Sequence, residues 1–123
     1  DFLNKKFKNE VLKKNIEVHV RSVFLQGVLT NHINYLPNKF KRFKNILNNW
    51  NNFCTKKKIS KVNAAINFVL NHDFVDKIIL GFKNEYEFID LINNFKNRKI
   101  NYLNKFKNIP QVLKQPYLWN NTL

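Results

Sequence analysis

The sequence predicts an α/β fold with parallel strands, a consecutive slice of a larger domain, and three observations carry that prediction. Apolar residues recur with a helical period along most of the chain, but in Ile16–Val20 they alternate, so a strand follows a helix. A second run rich in β-branched residues, Val75–Phe82, meets one of the chain's two glycines, as the first run does. A long helical region separates the two runs, and strands so connected cannot form a hairpin; they pair in parallel. Two strands alone leave open edges and uncovered apolar faces, which is why more of a domain is expected around them.

The elements follow in order. NKKFKNEVLKKN sets Phe7, Val11 and Leu12 at helical spacing among lysines and predicts a short surface helix. In IEVHV, Ile16, Val18 and Val20 alternate with Glu17, His19 and Arg21, which predicts a strand. It runs into RSVFLQGVLT, a lysine-free stretch that by itself reads as a turn with a permissive glycine, Gly27. NHINYLPN is a polar loop whose Pro37 can start a helix. From Lys39 onward Phe40, Phe43, Leu47, Trp50 and Phe53 recur at steps of three and four, the inner stripe of a long amphipathic helix. TKKKISK falls between helical patterns and reads as a solvated loop.

Ser60 is placed to cap the next helix, with Ile59 and Ala64 as a hydrophobic staple and Val62, Ala65, Ile66, Val69 and Leu70 as its buried face. VDKIILGF is the second strand, expected to be buried on both faces near its end at Gly81. Asn84 then caps a last helix, with Glu87 positioned to complete a capping box and Phe88, Leu91, Ile92 and Phe95 as the inner face. NIPQVLKQPYLWNN forms a tail.

A chain of 123 residues, 44% hydrophobic and 15% aromatic, has enough apolar surface for a core, which excludes whole-chain disorder. No apolar run reaches the ~20 residues of a membrane span, and the first residues lack the apolar centre of a secretion signal. A cytoplasmic location without a membrane partner is expected. A lone cysteine, Cys54, excludes an internal disulfide framework and makes a zinc cluster improbable, leaving a buried thiol. The formal charge of +14 raises a nucleic-acid reading. However, nineteen of the twenty-two basic residues are lysines scattered along the chain, and 23 residues are asparagine. A joint excess of Lys, Asn, Ile and Phe is what AT-rich codons produce, so nucleic acid is not the expected partner.

IEVHVRSVFLQGVLT, followed after a long helical region by AAINFVLNHDFVDKIILGF and a helix, is similar to the C-terminal part of the aldo/keto reductases. In that family the seventh barrel strand ends in a Tyr-Ser-x-Leu-x-x-Gly-Leu-Leu type sequence, and an Ala-Leu-x-x-Leu helix leads to an eighth strand ending in Ile-Pro-Gly. The likeness extends from Lys6 to Phe95, and QPYLW resembles the Pro-x-x-Trp ending of some bacterial members. It implies the C-terminal part of a (β/α)8 TIM barrel, with two parallel strands and about four helices present. Residues 1–108 would be the partial barrel and 109–123 the tail.

The resemblance further implies a reductase that moves hydride between NAD(P)H and an aldehyde or ketone, with ligands at the C-terminal ends of the strands. By position, Arg21, Ser22, Phe24, Gln26 and Gly27 belong to the loop that wraps the cofactor's nicotinamide and pyrophosphate. Gly27 would let backbone amides approach phosphate oxygens. Lys83 and Asn84, at a helix N-terminus, match the part that holds the adenosine end.

Departures from the family pattern qualify this. Arg21 stands where an aromatic residue usually stacks on the nicotinamide, and Leu80 replaces a proline. Glu87 stands where NADPH-specific members carry an arginine, and Leu91 replaces an asparagine on adenine. With Glu85 it tilts the expected preference toward NADH, although Lys83 could answer a 2′-phosphate. By alternation Glu17, His19 and Arg21 form a column on the barrel-interior face, which must pair within itself or with absent strands, and His19 is expected to be structural.

The family's catalytic Asp, Tyr, Lys and His come from earlier strands. None of Tyr35, Tyr86, Tyr102 and Tyr117 matches the catalytic tyrosine, so no catalytic residue is assigned and this chain alone is expected to be inactive. The expected partner is the missing N-terminal barrel half, in the same gene product or as a separate chain. The alternative is a small basic nucleic-acid-binding or non-catalytic interaction protein. With open strand edges, the isolated chain is expected to self-associate or be partly molten.

Overall fold

The computed structural model describes residues 4–97, 99, 100, 106 and 109–119. The element order is α1 (Lys5–Lys13), β1 (His19–Val20), α2 (Lys44–Lys56), α3 (Lys61–Leu70), β2 (Lys77–Ile78), α4 (Glu85–Asn94) and α5 (Gln111–Lys114), with 3₁₀ turns at Ile33–Tyr35, Asn38–Phe43 and Pro116–Leu118. The strands pair in parallel, His19 with Lys77 and Val20 with Ile78. Parallel pairing across a helical crossover is what the sequence pattern requires.

Both strands are shorter than the alternation predicts, two residues each. A side chain cuts the ladder at its start: the Asp76 carboxylate accepts from the Val18 amide at 2.7 Å, the place a further strand carbonyl would take. At its finish Ile79 N–H donates to Val20 O at 2.8 Å, and Ser22, at φ 61°, turns the chain away. The second strand is not buried on both faces, for Lys77 and Ile79 are exposed while Ile78 and Leu80 pack inward. Among the described residues helices cover one face of this sheet and nothing covers the other.

Side-chain caps start α1, α3 and α4. Asn4 Oδ1 accepts from Lys6 N–H at 2.8 Å to start α1, whose buried residue is Val11; Leu12 is exposed. The predicted long helix begins as a 3₁₀ turn over Asn38–Phe43 and becomes α-helical at Lys44, yet Phe40, Phe43, Leu47, Trp50 and Phe53 are all buried as its stripe requires. Ser60 Oγ accepts from Asn63 N–H at 3.1 Å to cap α3. On α3 the buried set is Ala64, Ala65, Ile66, Asn67 and Val69; Val62 is half-buried and Leu70 is exposed. Its inner face is thus rotated toward Asn67.

Asn67 is fully buried and has a reason to be polar. Asn63, Asn67 and Asn71 stand one helical turn apart, and each donates its side-chain amide to the strap after α4. Asn63 reaches Asn94 O at 3.1 Å, Asn67 reaches Lys96 O at 2.9 Å and Asn71 reaches Ile100 O at 3.0 Å. This ladder gives the carbonyls of that strap donors without a strand pair. In α4 itself no residue is buried. Leu91 and Phe95 pack inward, whereas Phe88 and Ile92, expected on the inner face, are exposed.

Two cores result. One gathers Val23, Trp50, Phe53, Cys54, Ala64, Ala65, Ile66 and Val69. The other joins Val28, Phe40, Phe43 and Leu47 to Leu113 and Trp119 of the tail, with the Trp119 ring edge-on to Phe40 at 4.8 Å. Cys54 is buried as expected, and that burial pushes its thiol up to about 11. It is therefore held as a neutral thiol and not as a nucleophile.

Candidate functional site

Because the strands are adjacent and parallel, the segments leaving Val20 and Ile78 emerge from the same end of the sheet. The two groups of site residues, Arg21–Gly27 and Lys83–Asn84, follow these exits.

The first exit is a compact series of turns through Thr30. Ser22, Leu25, Gln26 and Gly27 all have left-handed backbones, at φ 61°, 47°, 51° and 87°. Such a cluster is uncommon for residues with side chains and is sustained only where surroundings over-determine it. Here they do. Val23 is buried in one core and Val28 in the other. Beyond them Trp50 Nε1 of α2 donates to Leu29 O at 2.8 Å, and Lys61 Nζ of α3 donates to Asn31 O at 2.8 Å.

Arg21, Ser22 and Gln26 are exposed, while Phe24 is half-buried and packs on the first core, so Phe24 braces the loop from within. Gly27 has a local reason to be glycine. Its φ is left-handed, and a Cβ there would lie 2.6 Å from Asn31 Nδ2, whose amide donates to Gly27 O at 3.0 Å. This turn geometry by itself gives Gly27 a reason to be glycine. Gly81 has open space around its Cβ position.

The loop consumes some of its own donors. Leu25, Gly27, Val28 and Leu29 N–H groups bond carbonyls of residues 22–25. Among the described residues no backbone carbonyl accepts from Val23, Phe24 or Gln26. With the Arg21 guanidinium and the Ser22 hydroxyl these are donors of the kind a pyrophosphate takes. The cavity beside the loop, about 30 Å³ and lined by Val28, Asn31, His32, Asn48, Asn51 and Lys61 among others, has room for about a single water molecule. A dinucleotide would have to lie across the exposed strand ends.

At the second exit Asn84 Oδ1 accepts from Glu87 N–H at 3.0 Å, and the Glu87 carboxylate accepts from Lys83 N–H at 3.0 Å. The capping box forms as expected, one residue wider on its return bond. Both acceptors come from the chain itself, so Asn84 serves the helix and Lys83 offers its exposed ammonium group.

The expected column on the open sheet face is assembled differently. Glu17 Oε1 accepts from His19 Nε2 at 3.0 Å and from Lys77 Nζ, so Lys77 of the neighbouring strand takes the place expected of Arg21. The hydrogen bond from Lys77, and then that from His19, hold the Glu17 carboxyl down at about 2, and Lys77 is raised in turn. Glu17 is therefore ionised at neutral pH and cannot serve as a general acid. His19 is exposed and paired rather than packed.

Of the tyrosines, Tyr35, Tyr86 and Tyr117 are strongly exposed and Tyr102 lies outside the described residues. Among the described residues there is no group of three potential metal ligands, and no helix is long and apolar enough to cross a membrane. Trp50, Lys61 and Asn31, which hold the first exit, carry no local sequence signal as loop anchors; Trp50 was legible only as a core residue.

A family model, the aldo/keto reductase family, matches residues 4–107. The chain belongs to the aldo/keto reductase family. A search of curated proteins and a search of solved structures each found no match. Membership fixes an oxidoreductase-like class, a family fold of the TIM-barrel type and general use of NAD(P)H. Among the described residues the two parallel strands and five α-helices are consistent with part of such a barrel.

Proposed function

We propose that this chain is the C-terminal portion of an aldo/keto reductase and contributes part of its cofactor site, in an enzyme that reduces aldehydes or ketones. The observation that carries this reading is the shared end of the sheet: within a family match over residues 4–107, the exits after Val20 and Ile78 emerge side by side. A barrel enzyme builds its site from such loops. Arg21, Ser22 and the backbone amides of Val23, Phe24 and Gln26 would hold the pyrophosphate region, and Lys83 the adenosine end. A bound nicotinamide would supply the hydride. The proton for the carbonyl oxygen, and the Asp, Tyr, Lys and His that manage it, would come from a partner N-terminal barrel portion.

NADH is the favoured cofactor in this reading. Glu87 already accepts from Lys83 N–H at the start of α4, and Glu85 stands beside it, so a 2′-phosphate would meet two carboxylates at the helix end that otherwise attracts anions.

Titration of the chain with NADH and NADPH, read through tryptophan fluorescence, tests the reading, since the Trp50 indole bonds the first exit loop. Saturable quenching by NADH is expected, weakened in Arg21→Ala, with no turnover of aldehydes by the chain alone. Absence of any nucleotide response would remove the cofactor assignment. NADPH binding more than about tenfold tighter, roughly 1.4 kcal/mol, would overturn the role given to Glu85 and Glu87.

A further inference from the structure

The charges are not spread evenly over the surface. From Asn84 to Phe95 there is no lysine or arginine, and Glu85, Glu87 and Asp90 give this stretch a net charge of −3 in a chain of +14. The same stretch carries a run of exposed apolar side chains: Tyr86 is 84% exposed and Ile92 61%, with Phe88 and Ile89 also exposed. At the other end of the sequence α1 is its opposite in charge and its like in polarity. Five lysines against one glutamate give residues 4–16 a net charge of +4, and Phe7, Leu12 and Ile16 are exposed. Asn4, Lys6, Phe7 and Glu10 border an open depression on α1.

We propose that α4 of one chain docks on α1 of a second copy, head to tail, with Tyr86, Ile89 and Ile92 against Phe7 and the α4 carboxylates facing Lys6 and Lys13. Apolar exposure on either helix alone would leave the occupant open. The joint match in charge sign selects a partner, and one chain carries both halves of it. Because the two surfaces differ, the contact is heterologous and propagates from copy to copy unless it closes into a ring. It makes no use of the cofactor assignment and stands or falls separately from it.

The test needs no ligand: sedimentation velocity of the wild-type chain over a range of concentration and salt. Concentration-dependent association at low ionic strength is expected, weakened at least tenfold toward ~1 M salt, where the screening length falls to about 3 Å. Glu85→Lys/Asp90→Lys/Asn93→Lys turns α4 from −3 to +2, and Lys5→Glu/Lys6→Glu/Lys13→Glu turns α1 from +4 to −2. Each variant alone should be monomeric, and an equimolar mixture should associate again, because each then offers the other a complementary pair. Tyr86→Ser, at a side chain that supports no fold contact by its exposure, should weaken association without altering the circular dichroism, and remains informative if a triple variant fails to fold. A wild-type chain monomeric at low salt, charge variants that associate as the wild type does, or a mixture that stays monomeric would each overturn the proposal. So would a chain that ignores itself and binds only a complementary barrel portion.

Discussion

The two strand exits leave the same end of one small sheet, yet they are built by opposite means. The first is bolted down. Val23 and Val28 enter separate cores, Trp50 and Lys61 hold its carbonyls, and four residues accept left-handed backbones in consequence. The second rests on a cap: Asn84 and Glu87 start α4, no side chain of α4 is buried, and the strap behind it hangs on three asparagines. A loop that must present backbone donors in fixed positions needs the first kind of support. A helix end that offers only a charge can do with the second.

The largest test of that contrast is Trp50→Ala, which removes a ring packed near Phe53 and the donor to Leu29 O together. Loss of a buried tryptophan costs about 3–5 kcal/mol. Urea denaturation should show a loss on that scale, and less than about 1 kcal/mol would mean that the first exit is not braced through α2.

The glycines sharpen the comparison. Gly27→Ala combines a left-handed φ with a Cβ 2.6 Å from Asn31 Nδ2 and should destabilise by about 1–3 kcal/mol. Gly81→Ala meets open space and should be neutral or stabilising, up to about 1 kcal/mol. Equal effects in the two variants would erase the distinction between the exits. At the α4 cap, Asn84→Ala should cost about 1 kcal/mol. Hydrogen exchange should quicken in α4 and leave α2 unchanged; acceleration in both would show that the second exit is coupled to the core after all.

Much of the fold was legible in the sequence because its signals are local. The stripe Phe40–Phe53, the caps Ser60 and Asn84 and the parallel sense of the strands all follow from spacing, side-chain reach and connection length. The candidate site was legible only in part. The turn at Gly27 was identifiable, but the asparagines assigned to an AT-rich composition include Asn31, which crowds Gly27, and Asn67, which is fully buried. Composition describes all 23 asparagines at once and cannot say which of them will meet a carbonyl.

By itself, then, the sequence determined the order of elements, the caps Ser60 and Asn84 and the stripe Phe40–Phe53, since these depend on neighbours within a few residues. Tertiary structure alone decided the length of the strands, the turn of the inner face of α3 toward Asn67, the exposure of α4, and the replacement of Arg21 by Lys77 as the partner of Glu17. Each of those depends on a group brought close from a distant part of the chain, and periodicity along one segment carries no information about what will lie across from it.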